Sequence, residues 1–138
     1  MATIKIDQEA GLEVCSGGIL GMDESMSDRI AMAFDLKKAG VHSVPLNLLN
    51  PIKGTAFEGK APLPPVEILK SFAIFRFILP RCGIRTAGGR EVNLRDLQGT
   101  ALMGGISGML VGGYLTTGGR KYADDLKMIA DLGRTVAK

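Results

Sequence analysis

The sequence predicts an α/β protein in which parallel strands alternate with helices, and three observations carry that expectation. Short apolar runs suited to strands begin near residues 12, 43, 83 and 108. Each is followed by a stretch with helical periodicity or by helix start and stop signals. The strand starts lie 31, 40 and 25 residues apart, the pace of βα units joined by right-handed crossovers. Eight such units close a barrel of about 250 residues, and the 138 residues here hold four. The expected fold is therefore half of a (β/α)8 barrel, one domain over residues 1–138.

The elements are expected in this order. Residues 4–10 read as the end of a helix, and Leu12-Glu13-Val14-Cys15-Ser16 as the first strand, running into a loop at Gly17-Gly18-Ile19-Leu20-Gly21. Ser25 stands three residues before Asp28, the spacing of a capping box. The helix it opens, 28–39, should turn Ile30, Ala33, Phe34 and Lys37 to one side and stop at Gly40. A second strand, 43–48, gives way to a polar Gly/Pro-containing loop over 50–65, long enough to suspect a functional role. A helix over 66–79 starts behind Pro64-Pro65 and ends at Pro80. A third strand at 83–87, a helix over 94–103 capped by Asn93, a fourth strand at 108–111 and a last helix at 122–132 complete the pattern.

Composition narrows the function. With 46% apolar and 22% charged residues the chain is globular. No Trp, 5% aromatics and a net charge of +3 leave neither a stacking platform nor a phosphate-binding stripe, so no nucleic-acid partner is expected. Gly104, Gly108 and Gly112 have the spacing of packed membrane helices, yet the uncharged run around them is too rich in glycine to insert, so no membrane is expected. The first residues have no apolar signal core, which by default predicts a cytoplasmic location. Two cysteines without CxxC spacing build neither a zinc ribbon nor a self-contained iron-sulfur site.

Active groups of such barrels sit at the C-terminal ends of the strands, where Cys15, Asn47 and Arg85 fall at equivalent places on three successive strands. A lone strand cysteine is by default a small buried hydrophobe. An arginine in a buried strand must face an acid, an anion or a metal site, because an unpaired buried charge costs too much. Asn47 needs its amide satisfied by protein, water or ligand. His42 is expected at the surface at the bottom of the sheet, Cys82 on the face opposite Arg85, and the methionines in the core.

Five ordered motifs resemble one family: Val14-Cys15-Ser16-Gly17-Gly18-Ile19-Leu20-Gly21 with Glu24, Ser43-Val44-Pro45-Leu46-Asn47, Lys53-Gly54-Thr55, Ile84-Arg85-Thr86-Ala87-Gly88-Gly89-Arg90-Glu91, and Gly112-Gly113-Tyr114-Leu115-Thr116-Thr117. Together they are similar to the C-terminal half of biotin synthases, including the biotin and thiamin synthesis associated domain. The resemblance implies a radical S-adenosylmethionine barrel. In that family a 4Fe-4S cluster cleaves S-adenosylmethionine, the resulting radical takes hydrogen from dethiobiotin, and sulfur comes from a 2Fe-2S cluster. By position, Cys15 matches a cysteine ligand of the second cluster and Arg85 its arginine ligand. Asn47 matches a residue contacting the dethiobiotin ureido group, Ser43 lies near the cluster, and Gly18, Ile19, Leu20 and Asn50 border the adenine of S-adenosylmethionine.

The CxxxCxxC loop of the family is absent from this sequence, as are two further cysteines of the second cluster. Three expectations follow: a truncated biotin synthase inactive alone, a half-barrel subunit that pairs with a separate N-terminal half, or a homodimer whose Gly-rich strand ends bind a nucleotide or phosphate.

Overall fold

The computed structural model describes residues 2–113 and 118–137. Tyr114-Leu115-Thr116-Thr117, part of the last motif, lie outside the described residues. Helix α1 (Ala2–Glu9) leads into β1 (Gly18–Leu20), α2 (Met26–Ala39), β2 (Ser43–Leu48), α3 (Pro65–Ile78) and β3 (Gly83–Thr86). There follow α4 (Arg90–Leu94), a 3₁₀ turn (Arg95–Leu97), α5 (Gln98–Gly104), β4 (Gly108–Met109) and α6 (Tyr122–Asp131). The four strands form one sheet in the order β1-β2-β3-β4, every pair parallel. Strands and crossover helices in this sequential order are the arrangement of half a (β/α)8 barrel.

Local chemistry sets most boundaries as expected. Ser25 and Asp28 form a reciprocal capping box at the start of α2, and Gly40 closes it in the left-handed conformation. Pro65 opens α3, where its missing N–H has no intrahelical partner to lose. Burial along β2 alternates: Val44, Leu46 and Leu48 are buried, whereas Ser43, Pro45 and Asn47 are half-buried. The buried set packs with Ala33 and Leu36 of α2, Ile68, Phe72 and Phe75 of α3, and Leu94, Ala101 and Leu102 beyond. The other face carries Cys15, Ile19 and Arg85, all exposed. A parallel sheet is ordinarily covered on both sides, and in half a barrel the uncovered side is the barrel interior. Among the described residues no helix is long and apolar enough to cross a membrane.

Five expectations need correction, the simplest being that Met22 and Met103, expected in the core, are exposed. The first strand does not run over 12–16: Cys15 makes a single parallel bridge to Ser43, and the continuous strand is Gly18–Leu20, expected as loop. Pro45 is the physical reason. Ser43 turns its N–H and carbonyl toward the Cys15 segment, bonding Val14 O and Ser16 N. Pro45, two residues on, faces the same way with no N–H to give, so the ladder breaks there. Gly17 fits the gap because a Cβ on it would stand 1.9 Å from the Pro45 carbonyl oxygen.

On α2, Phe34 is 54% exposed, and the buried side is Arg29, Ala33 and Leu36. The face is turned because Arg29 is satisfied inside: its guanidinium donates to Glu24 and to Ser71 Oγ. The helix expected over 94–103 is two helices, and Asn93 lies inside α4 instead of capping anything. Its side-chain amide bonds the Gly89 and Leu49 carbonyls, which starts helix α4 early, and the left-handed Arg95 (φ 51°) then breaks the run. Finally, β4 is two residues long instead of four.

Candidate active site

Strand pairing arranges the open face in levels. Cys15 lies beside Ser43, which pairs with Gly83. One pleat higher Pro45 pairs with Arg85, and Arg85 with Gly108. A further pleat up, Ile19 pairs with Asn47. Cys15, Arg85 and Asn47 are therefore not at equivalent heights, as the sequence suggested, but on a diagonal that rises by about 13 Å along the strands. Which segments neighbour one another was legible from the apolar runs, but height depends on the pairing between them, which Ser43, Pro45 and Asn47 carry through to Cys15, Arg85 and Ile19.

Arg85 is exposed, not enclosed in a buried strand. It still has a partner: Nη2 donates to Cys15 Sγ at 3.0 Å. Cys15 is itself exposed, so it is not a core filler. Ser43 Oγ beside it donates to the Gly83 carbonyl at 3.2 Å. Cys82 is half-buried on the helix side, with Sγ 3.1 Å from Val41 O, and is not part of this face. His42 is exposed and accepts the Val14 N–H on Nδ1.

A thiol from the segment before β1 and a guanidinium from β3, meeting across β2 on the open face, suit an iron-sulfur cluster as two of its donors. Sulfur is a soft ligand, and a guanidinium nitrogen binds metal only by giving up a proton. Among the described residues no group of three or more His, Cys, Asp or Glu could hold a metal ion. The described residues therefore offer too few donors for a three-cysteine cluster site, and a cluster held at this face would need further ligands from outside it.

Higher on the face, Asn47 Oδ1 accepts the Gly88 N–H at 2.9 Å. That bond leaves its Nδ2 protons as the outward group, suited to a carbonyl acceptor. Ile19, 47% exposed, alone of the β1 residues turns a side chain to this face. Gly18 packs on Met32 and Leu20 is buried, so both meet the site through backbone only. Asn50, half-buried, follows Leu49, whose N–H bonds the Leu20 carbonyl and ties the exits of β1 and β2 together.

The turn after β1 is held by Glu24, a residue of the first motif to which the sequence assigned no role. Its carboxylate accepts the Gly21 N–H at 2.8 Å, the Met22 N–H at 2.6 Å and Arg29 Nε at 2.8 Å. Burial by itself would raise its pKa, but these donors together hold the carboxyl below its ordinary 4.5. In the pH range below that value the unfolded chain binds the proton more readily, so the Glu24 contribution is present above about pH 4.5 and is lost as pH falls through the depressed folded value. Glu24→Gln should lower stability at neutral pH, and its deficit against the parent should shrink on acidification, as urea titrations between about pH 6 and 3 would measure. An unchanged deficit across that range would contradict the assignment.

Two further residues escaped the sequence reading as structural agents. Arg90, 1% exposed, joins α4 to Gln98, Asp125 and the Leu110 carbonyl. Asn93, 2% exposed, joins the exits of β2 and β3. Nothing in the sequence marked them, because residues 90–98 (REVNLRDLQ) are mostly charged or polar and these two look like their exposed neighbours.

With this geometry in view, the family model described as the Biotin and Thiamin Synthesis associated domain matches residues 45–135. The chain belongs to that family. The match begins in the middle of β2 and takes in Asn47, Arg85, Arg90 and Asn93, while Cys15 and the Gly17–Leu20 segment precede it. Members similar to this chain include a biotin synthase of Carboxydothermus hydrogenoformans, 60% identical over 131 residues, covering 95% of this chain and 40% of the relative. A biotin synthase of Heliobacterium modesticaldum is 55% identical over 136 residues, covering 99% and 42%, and one of Clostridium acetobutylicum is 52% identical over 130 residues, covering 94% and 40%. The chain thus spans about two fifths of the length of the curated relatives it matches. The similarity to these relatives, unlike the family-model match, takes in Cys15.

Proposed function

We propose that this chain supplies the C-terminal half of a biotin synthase barrel and binds dethiobiotin and part of the sulfur-donating cluster on its open sheet face. The observation that carries this reading is the Cys15–Arg85 pair, a 3.0 Å contact between residues 70 apart in sequence on the face that a barrel would enclose. Cys15 and Arg85 would hold a 2Fe-2S cluster, which when bound supplies the sulfur atom inserted into the substrate. Ser43 stands next to Cys15 and keeps its hydroxyl on the Gly83 carbonyl, shaping the floor. Asn47, its oxygen engaged by Gly88, directs two donors at the ureido carbonyl and so sets the height at which dethiobiotin rests. Ile19 gives an apolar surface at the same level, and the backbone edge of Gly18–Leu20 with Asn50 borders the adenine of S-adenosylmethionine. The CxxxCxxC loop and the remaining cluster ligands would come from an N-terminal half barrel, since this sequence has neither.

A chimera tests this directly. The corresponding segment of the Carboxydothermus hydrogenoformans relative is replaced by this chain, and growth of a biotin-requiring bacterium on dethiobiotin is scored. Growth, abolished by Asn47→Ala or Arg85→Ala in soluble protein, is the expected result. A soluble chimera with both clusters loaded that makes no biotin would refute the reading.

A further inference from the structure

We infer that Asn93 is a positioning residue that holds Asn47 at its working height by clamping the exits of β2 and β3 to each other. The inference rests on the reading of Asn47 as the substrate-facing amide and adds to it a residue that never touches substrate.

Asn93 is 2% exposed and lies within α4, the helix that follows β3. Its Nδ2 donates to the Gly89 carbonyl at 2.8 Å and to the Leu49 carbonyl at 3.2 Å. Leu49 is two residues beyond Asn47, and Gly89 directly follows Gly88, whose N–H holds Asn47 Oδ1. The Gly88 carbonyl in turn accepts the Leu48 N–H at 2.9 Å. Before Asn47 the Ala87 N–H bonds the Leu46 carbonyl at 3.0 Å, so the two strand exits are joined on both sides of Asn47, and one buried amide supplies both protons of the outer link.

The fit at this point is tight. Gly89 is left-handed (φ 81°), and a Cβ there would stand 2.1 Å from the Leu48 carbonyl oxygen and 3.2 Å from Asn93 Nδ2. Only glycine lets the β3 exit approach closely enough for one asparagine to reach both carbonyls. Without the Asn93 side chain the Gly89 carbonyl keeps the Asn93 backbone N–H at 3.1 Å, but the Leu49 carbonyl loses its tie to α4 and the two turns can part. Gly88 would then move relative to β2, releasing Asn47 Oδ1 and letting its amide rotate. Cys15 and Arg85 lie lower on the face and share no bond with this clamp.

The test uses the chimera for kinetics and this chain for hydrogen exchange. Asn93→Ala should raise the KM for dethiobiotin about tenfold or more, of the order that outer partners of a binding group cost, with iron content unchanged. Asn47→Ala should raise KM by at least as much, and the double variant should be no worse than Asn47→Ala alone, because both changes remove one function. In this chain, Asn93→Ala should speed exchange of the Gly88 amide severalfold while the Val44 and Ile84 amides keep their protection. If Asn93→Ala does not fold, Asn93→Ser, which retains one donor, takes its place. An unchanged KM, a KM loss that adds fully to that of Asn47→Ala, or unchanged Gly88 exchange overturns the inference. If instead Asn47→Ala leaves KM untouched, the substrate reading of Asn47 fails, and Gly88 exchange alone then decides whether Asn93 holds the clamp.

Discussion

Replacing Arg90 with alanine is expected to cost about 3–5 kcal/mol of folding stability, the effect of leaving a buried carboxylate without its partner. Arg90 is 1% exposed and Asp125 fully buried. The guanidinium bonds both Asp125 oxygens, the Gln98 side chain and the Leu110 carbonyl, the last at 2.8 Å. One side chain therefore ties α4, α5, α6 and the exit of β4. Arg120, 3.6 Å from Asp125 and 35% exposed, offers only a partial substitute. For a chain of this size the loss corresponds to a fall of about 10 °C or more in Tm. The double variant Arg90→Met with Asp125→Leu should recover most of it, because apolar replacement of a whole buried pair is often neutral or better. Calorimetry and urea unfolding of the three proteins check both statements, and a loss under about 1 kcal/mol for Arg90→Ala would show that the network is not a structural hub.

Cys15→Ala is expected to have the opposite profile, with the fold untouched and the chemistry gone. The thiol is exposed and its partner is Arg85 on the open face, so stability should change by no more than about 0.5 kcal/mol. On the proposed reading Cys15 is a direct ligand, and its loss should exceed the 10- to 100-fold that outer partners cost, so biotin formation by the chimera should drop by more than about 100-fold, together with the absorption of the proposed 2Fe-2S centre. Cys82→Ala is the internal control. Its sulfur is on the helix side against Val41 O, so it should leave iron and activity unchanged. If Cys82→Ala removed iron and Cys15→Ala did not, the assignment of the open face as the cluster site would be wrong.

Both expectations depend on how the two sides of the sheet differ, and that difference was only half legible beforehand. The alternation Val44, Leu46, Leu48 against Ser43, Pro45, Asn47 is visible in the residues themselves, since side chains on a strand point to opposite faces in turn. The Ser25–Asp28 cap, Gly40 and Pro65 were equally plain, because each acts within one turn of chain. Failures came where a distant residue decides. Phe34 is exposed because Arg29 takes the buried side of α2, and it can do so only because Glu24 and Ser71 receive it. Asn93 looks like a cap in sequence and is a cross-sheet clamp in space, since its second acceptor lies 44 residues away.

By itself, then, the sequence determined the strand and helix order, the parallel half-barrel class, the separation of Cys82 from Cys15 and the family motifs, all of which rest on local periodicity and residue type. The tertiary structure alone decided register and depth. Pro45, having no N–H, interrupts the ladder to β1 and leaves Cys15 on a single bridge at the level of Ser43. That register carries Arg85 one pleat above the thiol, within reach of its sulfur, and sets Asn47 a further pleat up. Heights across a sheet follow from hydrogen-bond pairing between strands, and no single strand encodes its own pairing.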